Sequence, residues 1–290
     1  MLAGAGVGPH AGDRLLAAAR AHGIEFDEMW GASDGPGEPY AAVVLLAKSA
    51  GRTRMVYTSP VRQPRERDAV AVALDRACGQ IADATLAQAL LEPGEDLTRA
   101  AFEAAGFTSV GELLYLRRSW ADPGPVSPAS PVEGVTVQPW RPGLEPELAR
   151  ALTRSYEGTL DCPELCGLRE VDDVIESHKA TGVFDPALWW LVRLDGAPAG
   201  ALLLNPVPAQ GHTELVYLGL APALRGRGVA WWLLRRGLSH LADRSHRTVL
   251  CAVDTRNTPA RALYERAGFT DFARRLAEVR PLRRAAPTPR

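Results

Sequence analysis

The sequence predicts an α/β protein built from two halves, each with a mixed β-sheet flanked by helices. Strand-sized apolar segments alternate with helical segments along most of the 290 residues, which is the element order of a layered α/β sheet. Between the halves, residues 121–131 read ADPGPVSPASP, with four prolines in eleven positions. Such a segment cannot continue a helix or lie in a central strand. We therefore expect a first domain over residues 1–120, a linker over 121–131, a second domain over 132–284 and a flexible tail over 285–290.

The second half shows the clearer pattern of elements. A hairpin is expected to turn at Asp195-Gly196, because this dipeptide suits a two-residue turn. The apolar run 248–253 suits a strand buried on both faces. The predicted strands are 135–140, 188–194, 199–204, 214–220, 248–253 and 272–279, and the predicted helices are 145–182 with one break at Cys-Pro-Glu-Leu-Cys, 229–243 and 259–267.

The first half repeats the later part of that order. Its predicted helices are 13–22, 68–81 and 97–105, and its predicted strands are 40–48, 54–60 and 86–91. The last of these helices ends in Ala105-Gly106-Phe107, and the short helix of the second half ends in Ala267-Gly268-Phe269. These matching helix ends indicate an internal duplication.

Composition and charge exclude several classes of partner. A formal net charge of −1 gives no general attraction to nucleic acid or to an anionic membrane. The longest apolar runs, such as 40–47, are too short to span a bilayer. No basic residue precedes an apolar stretch at the N-terminus, so no secretory signal is expected. We expect a cytoplasmic monomer or homodimer with neither nucleic-acid nor membrane partners.

The four cysteines do not predict a metal site. Cys78 and Cys251 are isolated in apolar surroundings, as small core residues in a reducing compartment are. Cys162 and Cys166 lie close in sequence, but a zinc site needs two more ligands and no histidine is nearby. A catalytic thiol in this pair is an alternative.

A turn of small residues joins the strand 214–220 to the next helix, and it contains Arg225-Gly226-Arg227-Gly228. A helix start leaves N–H groups unpaired and carries a partial positive charge, so it suits a phosphate group. Glycines let the backbone come close to an anion, and arginines add charge. The alternative is an ordinary helix start with solvated arginines.

Two segments resemble the signatures of the GNAT superfamily of N-acetyltransferases. Arg225-Gly-Arg-Gly-Val-Ala230 resembles its pyrophosphate-binding signature, [Gln/Arg]-x-x-Gly-x-[Gly/Ala], and Leu218-Gly-Leu220 resembles the strand whose backbone holds the pantetheine arm. Residues 257–269 resemble the second signature, an Asn followed by Ala-x-x-Leu-Tyr-x-x-x-Gly-Phe. The signatures occur in the family's order and spacing.

The resemblance implies tandem GNAT-like domains and a metal-free enzyme that uses acetyl-CoA. It implies that Tyr264 protonates the departing thiolate and that the backbone of residues 218–220 stabilises the oxyanion. From helical spacing alone, Tyr264 would instead be a core aromatic. The implied cofactor-binding residues are Leu218, Gly219, Leu220, Arg225, Gly226, Arg227, Gly228, Val229, Ala230 and Asn257.

Glu214 is the candidate general base. It lies in a strand of otherwise apolar residues, and the resemblance implies a base at about this position, because some relatives use a glutamate there, often through water. The alternative is a solvated carboxylate at the edge of the strand. Tyr217 either relays a proton or packs.

The acceptor site is expected around Tyr156, Glu157 and Asp161, because the family builds this site largely from its first helices. Clustered acids, an aromatic residue and a break in a helix suit a cationic amine. An acid-rich helix end favoured by ordinary capping explains the same residues equally well. Trp189 and Trp190 could line the cleft, with at least one of them in the core.

The first half lacks the cofactor signature. After the strand 54–60 there is no Gly-x-Gly/Ala pair, Pro64 removes an N–H, and Glu66 would face the phosphates. The position of Tyr264 is taken by Phe102, which cannot donate a proton. We expect a degenerate domain that covers the active site, binds substrate or mediates dimerisation.

The sequence thus predicts acetyl transfer from acetyl-CoA to a primary amine of a small molecule, peptide or protein. Tandem family members of about this length include one that acetylates the amine of a thiol sugar, which is the runner-up activity. A CoA-binding regulatory module without turnover is the alternative from another class.

Overall fold

The computed structural model describes residues 28–119, 124–241 and 248–282. The chain divides into two compact units, the first made of residues 1–108 and 278–290 and the second of residues 109–277. The predicted helix 13–22 and the tail 285–290 lie outside the described residues. Each unit combines a mixed sheet with helices, which confirms the predicted fold class.

The described residues of the first unit contain strands in the order β1-β2-β3-β4, and β4 lies next to the last strand of the chain. The first three are antiparallel neighbours, and β3 and β4 run parallel. Its elements are β1 (Met29–Ala32), β2 (Ala42–Ser49), β3 (Thr53–Thr58), α1 (Pro64–Gln80), β4 (Leu86–Leu91) and α2 (Asp96–Ala104).

Helix α1 begins at Pro64, earlier than the sequence suggested. Gln63 and Glu66 form a capping box at this helix start. The Glu66 carboxylate accepts the backbone N–H groups of Arg62 at 2.6 Å and Gln63 at 3.1 Å. A proline at the first helical position costs no hydrogen bond, so the helix starts where the sequence showed only a turn.

The second unit contains the remaining elements. They are β5 (Thr108–Ser119, all but its first residue in this unit), β6 (Val135–Pro139), α3 (Glu145–Tyr156), α4 (Val171–Ala180), β7 (Trp189–Leu194), β8 (Ala197–Val207), β9 (His212–Leu220), α5 (Val229–Ser239), β10 (Thr248–Asp254), α6 (Thr258–Arg266) and β11 (Thr270–Pro281, whose last four residues belong to the first unit). Their order in the sheet is β11-β5-β10-β9-β8-β7-β6. The hairpin turns at Asp195-Gly196 with both residues at positive φ, 49° and 80°, as expected of that turn type.

Strand β5 was not predicted, and it changes the division of the chain. It pairs antiparallel with β10 from Leu113–Asp254 to Ser119–Thr248. The units therefore divide at residue 108, not at the proline-rich segment, whose described residues belong to the second unit. These bounds differ from the expected domains 1–120 and 132–284, which stay a prediction about the duplicated copies.

Two apolar layers cover the faces of the second sheet. One layer packs against α5 and includes the fully buried Leu233. The other packs against α3 and α4 around Trp189. Asn205 is fully buried in this second layer, where it accepts the Trp189 indole N–H at 2.6 Å and donates to the carbonyls of His178 and Thr181. This buried hub fixes the end of α4 to the sheet.

Helices α2 and α6 end in the same way. Gly106 and Gly268 both have positive φ, 76° and 82°. The N–H of Phe107 bonds the carbonyl of Phe102 at 2.9 Å, and the N–H of Phe269 bonds that of Tyr264 at 3.0 Å. The matching caps agree with the duplication that the two Ala-Gly-Phe endings predict.

Candidate active site

Strands β9 and β10 separate along their length. Among the described residues they pair at only two positions, Thr213 with Val249 and Glu214 with Leu250. Beyond these, the register of β9 against β8 shifts: Leu204 lies opposite Leu215, but Leu203 lies opposite Tyr217, so Val216 is an inserted residue. A bulge bends a strand away from its neighbour. The backbone edge of residues 215–220 therefore lies open on the side of β10.

The glycine turn follows directly after this open edge. Gly226 and Gly228 have φ of 69° and 79°, a conformation that glycine adopts without a steric penalty. Gly228 is the N-cap of α5, and the first backbone bond into the helix runs from Trp232 N–H to Gly228 C=O at 3.1 Å. The N–H groups of this first turn lack intrahelical partners, as at any helix start, an arrangement that suits an anion. Val229 is buried and anchors the turn, and Ala230 is half-buried.

The charge of Arg225 suggested contact with an anion, but its side chain bonds backbone carbonyls. Its guanidinium donates to three backbone carbonyls: Leu220 at 3.0 Å, Gly158 at 3.0 Å and Ser155 at 2.8 Å. These bonds tie the end of β9 to the end of α3. Arg227 is exposed and donates to the Ala223 carbonyl at 3.2 Å.

Helix α6 borders the opening with two predicted residues. Asn257 is its N-cap and accepts the Ala260 N–H at 3.3 Å. Tyr264 is buried and packs against Phe269, with ring centroids 5.4 Å apart. Burial raises the pKa of Tyr264 well above its usual range, and the charge of Asp161 raises it further. The hydroxyl therefore stays protonated at neutral pH.

Glu214 lies where β9 and β10 are still paired. Its half-buried carboxylate is 3.1 Å from Nε2 of His212 on the same strand. Leu218 and Leu220 pack into the layer under α5, whereas Tyr217 packs into the layer under α3 and α4. A Cβ on Gly219 would lie 2.2 Å from the Tyr217 hydroxyl, so only glycine fits there.

Tyr156, the last residue of α3, and Tyr217 on β9 form what we call the aromatic wall. Their rings meet edge to face at 6.2 Å, and the Tyr217 hydroxyl bonds the Ser155 hydroxyl. Tyr156 is half-buried, and burial raises its pKa to about 12. Glu157 is exposed at the end of the helix. The structure brings Tyr156 into the wall but not Glu157.

Trp189 and Trp190 are both core residues, 0% and 2% exposed. The expectation that at least one is buried is confirmed, and neither lines an open cleft. Cys78 and Cys251 are buried as predicted.

Asp161 lies at the far end of β10. One of its carboxylate oxygens accepts the Asp254 N–H at 2.8 Å, and the Asn257 side chain donates to the same carboxylate. Packing around the carboxyl and the charge of Asp254 raise its pKa, while these two hydrogen bonds oppose the rise. In return, Asp254 accepts the Cys162 N–H at 3.1 Å.

Arg256 joins this network, and the sequence did not reveal it. Its guanidinium bonds Asp254 at 2.6 Å, both oxygens of Glu164 at 2.7 and 2.9 Å, and the Val110 carbonyl at 2.8 Å. Burial of Asp254 opposes its ionisation, but the bonds from Arg256 hold its pKa below the usual value. The segment between α3 and α4 is thereby fixed to the end of β10, about ninety residues later in the chain.

His178 is a second residue that the sequence left unassigned. Its ring packs on Tyr217 with centroids 5.5 Å apart, and within the described part of the chain its Nε2 is buried without a hydrogen-bond partner. Burial and the charge of Arg169 lower its pKa to about 4. It is therefore neutral near pH 7 and adds no charge to the aromatic wall.

Residues 28–119, 124–241 and 248–282 contain no group of three or more His, Cys, Asp or Glu side chains placed to hold a metal ion. Over the same residues, no helix has the length and apolar character needed to cross a membrane.

The second unit thus combines an open parallel strand pair with a glycine turn at the start of the following helix. Residues 152–269 match the model of a family described as the Acetyltransferase (GNAT) family. This segment is a GNAT domain, which confirms the resemblance in the sequence.

Curated relatives extend the match. The chain is 32% identical to a mycothiol acetyltransferase of Streptomyces griseus over 179 residues, and 35% identical to one of Beutenbergia cavernae over 179 residues. These matches cover 61% and 59% of this chain and 56% and 59% of the relatives. The chain thus spans little more than half the length of the curated relatives it matches.

Solved structures agree on the fold. A GCN5-related N-acetyltransferase from Sphaerobacter thermophilus has a TM-score of 0.60 at 21% identity, covering 94% of this chain and 86% of that one. A tandem GNAT protein from the clavulanic acid biosynthesis pathway has a TM-score of 0.52 at 16% identity, covering 87% and 82%. The tandem arrangement of the fold is therefore confirmed.

The three carbonyl contacts of Arg225 predict a structural effect. Arg225→Ala should lower the free energy of unfolding by about 2 kcal/mol, since charged hydrogen bonds to partly buried carbonyls are lost. Arg227→Ala, which loses one exposed bond, should change it by less than about 0.5 kcal/mol. Urea unfolding of both variants measures the difference. Equal stability of the two would contradict the structural part assigned to Arg225.

Proposed function

We propose that this protein transfers an acetyl group from acetyl-CoA to a primary amine. The observation that carries the proposal is the separation of β9 from β10 beside the glycine turn of α5. The GNAT match over residues 152–269 supports the same activity. We further propose that the protein is cytoplasmic and that it is a monomer or a homodimer.

The residues around the opening suit acetyl-CoA. The glycine turn offers backbone N–H groups to the pyrophosphate, and the absence of a Cβ at Gly226 and Gly228 lets an anion come close to the backbone. The unpaired edge of residues 215–220 offers peptide groups to the pantetheine amides in the manner of an added strand. Arg225 supports this edge through the Leu220 carbonyl, so its contribution to binding is indirect.

Proton transfers need two groups on this chain. Tyr264 is protonated at neutral pH and belongs to the helix beside the opening, so it suits the donor to the leaving sulfur. Two carboxylates border the opening, Glu214 at its closed end and Asp161 at its far end. Either one is chemically able to accept the proton of the acceptor amine. Backbone N–H groups of residues 218–220 suit the oxyanion.

The acceptor is a small molecule or a peptide amine. Tyr156, Glu157 and Asp161 lie on the segment that the sequence assigned to it. Two curated relatives are named mycothiol acetyltransferases, which keeps the amine of a thiol sugar as the runner-up. A regulatory module that binds CoA without turnover is the alternative from another class.

The first unit is proposed to be a degenerate copy. The backbone N–H groups ahead of α1 bond the Glu66 carboxylate, so an internal anion takes the place that a phosphate would need. Phe102 replaces the tyrosine of the second copy, with Phe107 packed edge to face at 4.8 Å. With neither an open helix start nor a proton donor at these positions, the described part of this unit is proposed to be non-catalytic.

Thiol release tests the proposed activity. Wild-type protein should consume acetyl-CoA in the presence of a panel of alkylamines, amino sugars and lysine peptides, measured with a thiol reagent. Acetyl-CoA binding should be measured in parallel by calorimetry. Binding without thiol release for any amine would favour the regulatory module.

Tyr264 should act in turnover and not in binding. Tyr264→Phe should lower kcat about 100-fold, the usual size of an acid–base contribution, with an unchanged Kd for acetyl-CoA. Tyr40→Phe serves as the control, because Tyr40 is 70% exposed in the first unit. An unchanged kcat for Tyr264→Phe would remove the tyrosine from the mechanism.

The glycine cap should matter for cofactor affinity. Gly228→Ala should weaken acetyl-CoA binding about tenfold, which corresponds to roughly 1.4 kcal/mol, because a side chain at positive φ displaces the N–H groups. Gly211→Ala carries the same backbone strain at φ 70° in a turn with open space around it. That control should keep wild-type affinity. Calorimetric titration with acetyl-CoA compares the two, and equal losses would point to general destabilisation.

A further inference from the structure

We propose that Asp161, and not Glu214, is the carboxylate that takes the proton from the acceptor's ammonium group. This inference rests on the acetyl transfer proposed above and assigns its general base. The observation behind it is the position of the Asp161 carboxylate at the open end of the separated strands, on the helix cap that begins α6.

The Asp161 carboxylate is held on one side and free on the other. It accepts the Asp254 N–H at 2.8 Å and a hydrogen bond from the Asn257 side chain. A carboxylate has about four lone-pair positions for hydrogen bonds, so others remain for a substrate. The residue as a whole is exposed, while packing around its carboxyl raises the pKa. Its geometry is that of a fixed proton acceptor.

Two further contacts keep this carboxylate in place. Asn257 uses its oxygen to cap α6 through the Ala260 N–H, so the same amide positions Asp161 and the helix that carries Tyr264. The next residue, Cys162, donates its N–H to Asp254 at 3.1 Å. Arg256 holds Asp254 and Glu164 together. Asn257 and Arg256 are positioning residues in this arrangement.

Glu214 is placed less well for the same step. It lies where β9 and β10 are still paired, opposite Leu250, and Asp254 follows four residues later, about 13 Å along an extended strand. The closed end of a strand pair has no room for an acceptor between the strands. The Glu214 carboxylate is also engaged with His212 at 3.1 Å. Its charge acts on Tyr115 and Cys251, whereas that of Asp161 acts on Cys251 and also on the Tyr264 hydroxyl.

The groups that act electrostatically on Asp161 come from three elements and its own loop. Burial raises the pKa of Tyr217 on β9, of Cys251 on β10 and of Tyr264 on α6, so they are neutral near pH 7. Burial likewise raises the pKa of Cys162 to about 12. The charged neighbours are therefore Asp254 and Arg256. Asp254 stays ionised beside Arg256 and raises the pKa of Asp161, and such separated pairs are typical of acid–base sites.

The proton balance is complete with groups on this chain. The ammonium gives one proton to Asp161, and the free amine forms an N–C bond to the acetyl carbonyl carbon. The C–S bond then breaks, and the sulfur takes a proton from Tyr264, which is restored by the second proton leaving the nitrogen. Asp161 releases its proton to solvent, because the residue is exposed. The products are the amide, the thiol and one proton.

The pH dependence of kcat/KM tests the assignment. A base must be ionised, so activity is present above its folded-state pKa and is lost as the pH falls through it. With Asp161 as base, wild type should show an acid limb above the ordinary aspartate range. Asp161→Asn should lower kcat about 100-fold and remove this limb, whereas Glu214→Gln should keep the limb. Asp172→Asn, an exposed acid in the first turn of α4, is the matched control and should behave as wild type.

Two measurements separate proton transfer from a loss of structure. Asp161→Ala should regain rate on addition of formate, and the gain should be largest for alkylamines that are protonated at the assay pH. For weakly basic amines, which are already neutral, the defect of Asp161→Asn should nearly vanish. Calorimetry should show wild-type affinity for acetyl-CoA in both variants.

The outcomes are distinct. An acid limb that persists in Asp161→Asn and disappears in Glu214→Gln overturns the assignment and leaves acetyl transfer intact. A defect that formate does not reduce, and that is equal for all amines, also overturns it. If wild-type protein binds acetyl-CoA but releases no thiol with any amine, the proposed function and this inference fail together.

Discussion

The separation of β9 from β10 is the constraint on which the rest of the second unit depends. Parallel strands normally bond along their whole length, and an unpaired edge inside a sheet costs free energy unless another group bonds to it. Here pairing ends after Glu214 and Leu250. The inserted residue Val216 directs β9 away, and Arg225 bonds the last carbonyl of the strand. The opened peptide groups of residues 215–220 are the ones to which we assign the extended arm of the proposed cofactor.

The two units differ at the junction between a strand and the helix that follows it, β9 and α5 in one unit and β3 and α1 in the other. In the second unit, the helix start after β9 is capped by Gly228, which has no side chain to fill it. In the first unit, the helix start after β3 carries Glu66, whose carboxylate bonds the free N–H groups. A negative group near the N-terminus of a helix is favoured by the helix dipole. The internal anion stabilises the start of α1, whereas Gly228 brings no side chain to the start of α5.

Features that depend on neighbouring residues could be predicted from the sequence, whereas pairings between distant residues could not. The glycine turn and the hairpin at Asp195-Gly196 depend on neighbouring residues, so spacing predicts them. Strand β5 was missed because its charged and polar residues obscure its alternation, and its place beside β10 is set by pairing across more than a hundred residues. The hydrogen bonds from Arg225 to backbone carbonyls were missed for the same reason, because the acceptors at Gly158 and Ser155 lie about seventy residues away.

The contact between Asp161 and Asn257 joins the segment predicted to bind the acceptor to the segment predicted to bind the cofactor. Asn257 bonds Ala260 at the start of α6 and also the Asp161 carboxylate. A shift of this amide therefore moves the segment between α3 and α4 together with the helix of Tyr264. Arg256 adds a second tie, because it bonds Asp254 and Glu164 at once. Asp161 and the first turn of the helix that carries Tyr264 are consequently held by one hydrogen-bonded network at the end of β10.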